Sequence, residues 1–468
     1  MNSADTLSDK MTASETRASV GLASIFGLRM LGMFLILPVF ALYAEHLPGG
    51  KDHTMVGLAL GAYGLTQAML QLLYGMASDK YGRKRVIYFG LLLFAVGSFV
   101  AASATSIETI IIGRIIQGAG AISAAVTALL ADSTREEHRT RAMAMIGGTI
   151  GLTFAASLVL GPAMYQYIGM PGIFVLTGVL SITAMAVVKW YIPDPLVSRF
   201  HSDAEANSAK LGGVLRNTQL LRLNFGIFSL HAAQMAMFVV IPFVLRDTGH
   251  LDINHQWEVY LPVVLVAFVL MVPAIIYGEK RAKLKQVFIA AVGLMLLAQL
   301  SMAVSMQSFW GIVAALLAYF IAFNILEATL PSLISKIAPT GAKGTAMGVY
   351  NTAQSLGLFF GGVMGGLLSQ HYSYSTVFLF SATLMVIWLV AAIGMRAPPA
   401  VKTRMFHLGD IDAAQAALLS QKLQAITGVY EAGVIAEEQI AILKVAQQGW
   451  DEEAAVKLIE ESKHGISQ

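Results

Sequence analysis

"YGMASDKYGRKR", residues 74–85, joins two apolar stretches through a turn that holds Asp79, Lys80, Arg83, Lys84 and Arg85. The stretch before the turn, 56–78, and the one after it, 86–104, are each long enough as helices to cross the roughly 30 Å hydrocarbon core of a bilayer. A short basic turn between two such segments belongs on one membrane face, because Lys and Arg collect in the loops that stay in the cytoplasm. Lys and Arg alone would satisfy that rule. The ordered Gly75, Asp79 and Gly82 among them ask for a further role.

The whole chain has this character. Of 468 residues, 56 % are apolar and 13 % charged, about half the charge of a soluble domain. Residues 86–107 and 286–326 carry no charge at all. Twelve apolar segments follow one another: 18–44, 56–78, 86–104, 109–131, 142–168, 173–193, 223–245, 259–278, 286–306, 309–335, 345–368 and 376–395. Transmembrane strands would be half as long and would alternate apolar with polar, so these are helices. With the N-terminus inside, alternate loops hold seventeen Lys and Arg against Lys51 and Arg246 on the other face. This places both termini in the cytoplasm. The opening "MNSADTLSDKMTASETR" has no basic start, short apolar core and cleavage site, so the first helix is the expected insertion signal. No cysteine is present, which excludes disulfides and thiol chemistry.

The polar stretch 194–222 divides the helices six and six, and the halves echo each other. "GMASDKYGRKR" after the second helix returns as "GEKRAKLK" at 278–285. Beyond "APP" at 397–399 the composition changes, with 10 acidic and 6 basic residues over 401–468. "VKTRMFHL" reads as a strand, and "DAAQAALLSQKLQAI" as a helix capped by Asp410 or Asp412. A hairpin over "VYEAGVIAEEQIAILKVAQ" and a helix over "DEEAAVKLIEES" follow; a last strand would have to come from "GISQ". That β-α-β-β-α order is ferredoxin-like. The expected fold class is an all-α membrane protein: twelve transmembrane helices in two six-helix halves, plus a small C-terminal α+β ferredoxin-like cytoplasmic domain. The expected divisions are a cytoplasmic tail 1–17, a half 18–193, a linker 194–222, a half 223–396 and a soluble domain 401–468.

In the 74–85 turn, Gly75, Asp79, Lys80, Gly82, Arg83 and Lys84 spell G-x-x-x-D-K-x-G-R-K. Gly82 permits a tight turn. Asp79 can accept from a neighbouring helix N-terminus, which is partly positive. Arg83 can reach a carboxylate on an adjacent helix end, for which Asp132 is the candidate. This pattern resembles the loop signature of the major facilitator superfamily. "RIIQGAG", Arg114 to Gly120, is similar to that family's R-x-x-Q-G motif. With the soluble tail, the chain resembles the YajR branch of the superfamily. The resemblance implies a rocker-switch transporter, proton-driven, whose basic turn latches the cytoplasmic side shut in the outward-facing state. In the antiporters' G-x8-G-x3-G-P-x2-G-G motif, Gly148, Gly161 and Pro162 fit, but Ser157, Tyr165 and Gln166 replace glycines. Gly348, Gly357, Gly361, Gly362, Gly365 and Gly366 repeat the spacing later without the proline. Small residues such as these let helix backbones pack closely.

Away from helix ends, four ionisable side chains fall inside the membrane: Arg29, Arg114, His231 and Glu327. They lie on the first, fourth, seventh and tenth helices, which the resemblance makes the cavity-lining ones. A charge at mid-bilayer costs at least ~2.5–3.5 kcal/mol, so each should face water or a partner. Glu327, with Asn324 one turn away, is the expected proton carrier; His231 can share the proton. Arg114 and Arg29 can counter an anionic substrate or tune proton affinity, or can be structural. Gln117, Gln67 and Gln71 are weaker candidates for polar lining.

No nucleophile–base set, paired carboxylates or phosphate loop stands out, so an enzyme is not expected, nor a cofactor or metal. The expected function is alternating-access transport of a small organic solute across the inner membrane by proton-coupled efflux, as in a drug/proton antiporter. The expected partners are that substrate, protons and the lipid bilayer, with no nucleic acid, and the expected state is a monomer. The alternatives are a proton-coupled uptake symporter, or a non-transporting sensor that signals through the C-terminal domain.

Overall fold

The computed structural model describes residues 11–194, 208–281, 283–339, 342–397, 401–409, 411–436, 439–446 and 449–464. The first group of helices comprises α1 (Ala13–Phe34), α2 (Phe40–Ala44), α3 (His53–Tyr81), α4 (Arg83–Ala102), α5 (Ile107–Ala119), α6 (Ser123–Asp132) and α7 (Glu136–Trp190). After α8 (Ser208–Arg216), the second comprises α9 (Thr218–Gly249), α10 (Trp257–Lys280), α11 (Leu284–Val304), α12 (Phe309–Ile337), α13 (Lys343–His371) and α14 (Tyr374–Ile393).

Several expected segments are broken or joined, each for a local reason. The segment 18–44 splits between α1 and α2 around Pro38, which cannot donate to a helix. The segment 109–131 splits at Gly120, where a Cβ would meet the Gly90 carbonyl oxygen at 2.4 Å. The segments 142–168 and 173–193 follow one another within α7 as two helices that meet at Gly169, whose φ +63° and ψ −179° are not helical. Only glycine takes that backbone at little cost. Most of the expected linker, 195–207, lies outside the described residues, as does the tail up to residue 10. The linker's end is helical: Asn217 caps Gln219 at 3.0 Å, so α9 starts at Thr218 rather than 223.

Nine helices among the described residues are long and apolar enough to cross a membrane. One of them, Arg141–Trp190, has 50 residues and holds two expected segments. The segments 18–44 and 345–368 are not among the nine. The second of these is rich in glycine, which packs well but adds little hydrophobicity.

The C-terminal domain has β1 (Val401–His407), α15 (Ala413–Gln424), β2 (Val429–Ile435), β3 (Ile440–Ala446) and α16 (Glu452–His464). The sheet order is β1-β3-β2, with both outer strands antiparallel to β3. This is a split β-α-β, as the pattern required. Asp412 caps α15 in a reciprocal box with Gln415, and Glu452 and Glu453 open α16, where its dipole favours acids. The proposed cap Asp410 and the proposed last strand at 465–468 lie outside the described residues. Leu419, Leu423, Leu443, Val445 and Ile459 form the domain's own small core.

Candidate functional site

A cavity of about 2260 Å³ lies between the two helix groups. Met30, Gln67 and Ser123 line it from the first group; His231, Asn324 and Glu327 line it from the second. It reaches the end of the bundle that carries the 79–85 turn, where Asp79, Arg83, Lys336 and Lys343 line its mouth. Arg404, Met405 and Phe406 of β1 and Glu452 of α16 also stand at that mouth. Lys444 of β3 is buried there; it donates to the Ala338 carbonyl in the α12–α13 connection and pairs with Glu431 at 2.7 Å.

The far end is shut by backbone contact between α3 and α13. A Cβ on Gly57 would fall 2.0 Å from the Gly362 carbonyl oxygen; one on Gly64 would fall 2.5 Å from that of Ser355. On its other side α13 packs on α9, with Gly357, Gly361 and Gly365 against Phe228, Ala232 and Ala236. Beyond the glycines, the His53 ring lies against Phe243 and Tyr374, with centroids 5.0 and 6.0 Å away. Arg246 pairs with Glu45 at 2.6 Å. Gly161 packs against the Leu35 carbonyl, and Pro162 sits within α7. Gly148 departs from expectation: its Cβ position meets nothing within 4 Å, because it faces the cavity rather than a helix. Gly348 also lines the cavity.

At the mouth, Arg83 is 5 % exposed and gathers the turn around itself. It donates to Asp79, to Ser78 Oγ at 2.8 Å and to Asp132 Oδ2 at 3.1 Å. Asp79 therefore binds a guanidinium one turn away, not the helix N-terminus expected for it. Lys84 reaches the Ile192 carbonyl at 2.8 Å and Asp194 at 2.6 Å. Lys80 lies over the Tyr81 ring. Gly82, at φ +95°, makes the corner between α3 and α4. Gly75 has room, since its Cβ would sit 3.5 Å from Ala124. Nearby, Glu15 holds Arg135 at 2.9 Å. Burial alone would raise the Glu15 pKa, but hydrogen bonds from Arg135 and Thr12 outweigh it and bring the carboxyl down to about 2.

The four mid-membrane ionisable groups separate into two sets. Glu327 and His231 lie together on the cavity wall, 3.8 Å apart. His231 Nδ1 faces the Ile227 carbonyl at 3.2 Å, and Nε2 faces the Gln354 amide nitrogen at 2.8 Å. That arrangement puts the ring proton on Nδ1. One oxygen of Glu327 and the amide nitrogen of Asn324 have no hydrogen-bond partner among the described residues. Arg29, Arg114 and Gln117 do not reach the cavity lining expected for them. Arg114 turns instead to the carbonyls of Ala59 and Leu60 at 3.4 and 3.5 Å and to Gln117 at 2.8 Å. Gln117 passes the chain on to Ser98 at 2.8 Å. Arg29 donates to Tyr63, Gln67 and Ser123. Gln354 and Ser123 were not singled out in the sequence. Counting amides and hydroxyls on the apolar helices, rather than ionisable groups alone, would have found them.

The sequence matches the family model described as Major Facilitator Superfamily over residues 22–362 and 284–426. It is 43 % identical over 436 residues to the inner membrane transport protein YajR of Escherichia coli (strain K12), covering 93 % of this chain and 95 % of that protein. It is 26 % identical to the multidrug resistance protein MdtH of Aeromonas hydrophila, over 73 % of this chain and 85 % of that one. The fold is similar to that of the nucleoside transporter NupG, with a TM-score of 0.63 at 14 % identity, covering 81 % of this chain and 99 % of NupG.

Proposed function

This chain belongs to the major facilitator superfamily and is a transporter, not an enzyme; from that premise we propose that it carries a small organic solute across the bacterial inner membrane by proton-coupled alternating access. The observation that carries this reading is the asymmetry of the space between the two groups. α3 and α13 meet backbone to backbone at one end, while a cavity stays open at the other. A solute in that cavity reaches one side only, which is what alternating access needs of each end state.

The basic end is the cytoplasmic one in this reading, because it carries seventeen Lys and Arg against two. The conformation is then inward-open. Closing its mouth would bring Asp79 toward Lys343 and Gly344 at the start of α13, which line the same opening. The partly positive helix N-terminus would hold the Asp79 carboxylate there, with Arg83 and Asp132 bracing it. This is the latch role assigned to the 79–85 turn.

Glu327 carries the coupled proton. It stands in the cavity wall beside His231 and Asn324, with an oxygen open to a new partner. Export is supported by the relationship to a multidrug resistance protein. Uptake together with a proton is the second reading, favoured by Arg29 and Arg114, which bury positive charge within the first group of helices. The test is flux in proteoliposomes against an imposed pH gradient. Glu327→Gln keeps the shape and removes the titration, so pH-driven flux should disappear while substrate binding is partly retained. Full pH-driven flux in that variant eliminates Glu327 as the proton carrier. An Arg29→Gln or Arg114→Gln change that restores flux to Glu327→Gln reduces the carboxylate to a neutralising partner.

A further inference from the structure

The side of the cavity lined by the first group has a chemistry of its own. Arg29 and Arg114 are 2 % and 1 % exposed, and both lie over the ring of Tyr63, at 5.7 and 4.9 Å from its centroid. The hydrogen-bond acceptors around them are neutral: two hydroxyls and an amide for Arg29, an amide and two backbone carbonyls for Arg114. Among the described residues no carboxylate pairs with either one. Two buried guanidiniums without a counter-charge are unfavourable, and a nearby anion relieves them.

The way Arg29 is held decides what the cavity meets. A guanidinium has donors only. Arg29 therefore occupies acceptor oxygens: Oε1 of Gln67 at 3.0 Å and Oγ of Ser123 at 3.3 Å. Both of these residues line the cavity. What they have left to offer a ligand is the amide N–H of Gln67 and the hydroxyl hydrogen of Ser123. Gln71, one turn along α3 from Gln67, is 2 % exposed, lines the same wall and has an amide oxygen with no hydrogen bond. Its amide can present either end. The Nε of Arg29 is also without a hydrogen-bond partner among the described residues. Around these groups the wall is apolar, with Phe26, Met30 and Met33.

We propose that this wall is the binding site for the anionic group of an organic solute, a carboxylate or similar singly charged oxyanion on an apolar body. Gln67 and Ser123 donate to the anion, and Arg29 supplies charge from behind as a positioning residue. The inference rests on the transport reading above but not on Glu327 or on the direction of transport.

The test is equilibrium dialysis with the purified full-length protein in neutral detergent, without a pH gradient. The probes are 2-naphthoate, 2-naphthamide and 2-naphthylmethylammonium, which share one ring system and differ in charge. Naphthoate should bind at least about tenfold more tightly than the amide, the scale of a charge-assisted hydrogen bond. Gln67→Glu, which neutralises Arg29 and replaces a donor by an acceptor, should weaken naphthoate about tenfold or more and leave the amide nearly unchanged. Ser123→Ala removes one donor with little change in volume, and should weaken naphthoate by roughly three- to tenfold. It keeps the proposal open to refutation where Gln67→Glu does not fold. Naphthoate no tighter than the amide, preference for the ammonium probe, binding of none of the three, or indifference of naphthoate to both substitutions overturns the proposal. So does dioleoylphosphatidylglycerol that displaces naphthoate at equimolar concentration, which assigns the wall to a lipid headgroup. Loss of pH-driven flux with anion binding intact would strike the proton-coupling reading and leave this one standing.

Discussion

Alanine at Gly57 tests the far-end closure with a single carbon atom. Its Cβ would lie 2.0 Å from the Gly362 carbonyl oxygen, 2.9 Å from the Gly362 carbonyl carbon and 3.0 Å from the Gly366 Cα. All three neighbours are backbone, so none can rotate away, and α3 and α13 have to part. Overpacking of this kind costs about 1–3 kcal/mol. Alanine is a better helix former than glycine by about 1 kcal/mol, but that gain applies to α3 in every conformation and leaves their balance alone. The closed far end should therefore be disfavoured by roughly 5- to 150-fold. The chain has no cysteine, so a single Ser369→Cys can report without background. Ser369 is buried against His53 and is freed only when the far end opens. Its alkylation by a water-soluble maleimide should accelerate by that factor in Gly57→Ala. Gly147→Ala, whose Cβ meets nothing within 4 Å, should leave it unchanged. An acceleration below about twofold, or an equal one in the control, refutes the argument that this backbone contact is the closure.

Other outcomes follow from the same geometry. Asp79→Asn or Arg83→Ala should lower flux with expression nearly intact, and should raise the labelling of a Met347→Cys reporter at the mouth during turnover; unchanged labelling with full flux removes the latch. The Glu15 carboxyl is brought down from 4.5 to about 2, so its link to Arg135 stabilises fully above pH about 4.5 and is lost as pH falls toward 2. Glu15→Gln should accordingly lower the Tm of the purified protein at pH 6, and the difference from the parent should shrink with acidification. Truncation after Arg396 should leave a monodisperse membrane protein on size exclusion, because the C-terminal domain has its own core; aggregation would make that domain part of the membrane fold.

The sequence showed the helices because lipid demands long apolar runs, and it showed the 79–85 turn because a reversal between two such runs has few solutions. Arg83 lies 3.1 Å from Asp132, the partner that its spacing proposed. What could not be read was facing. Arg114 lies on a helix expected to line the cavity, yet points at the carbonyls of Ala59 and Leu60. Those carbonyls are reachable because α3 is lined with small residues at 57, 59, 61, 62 and 64, an opening that depends on which neighbour packs there. The glycines divide the same way. Gly357, Gly361 and Gly365 meet α9, while Gly362 meets α3; spacing marked them all as small without saying which helix each admits. Gly148 admits none. The break between 168 and 173 was legible as a gap between two apolar runs; that a single glycine at φ +63° does the work of a loop there was not.

The anchorage of Lys444 has a mechanical consequence. It ties the C-terminal domain to the α12–α13 connection, on the second group of helices. When the two groups rock, a domain held in this way travels as a rider on the second of them. Tyr430 on β2 is exposed. A dye at that position, paired with one at exposed Tyr81 of the first group, would convert a small tilt among buried helices into a change in separation on the water side, legible one molecule at a time.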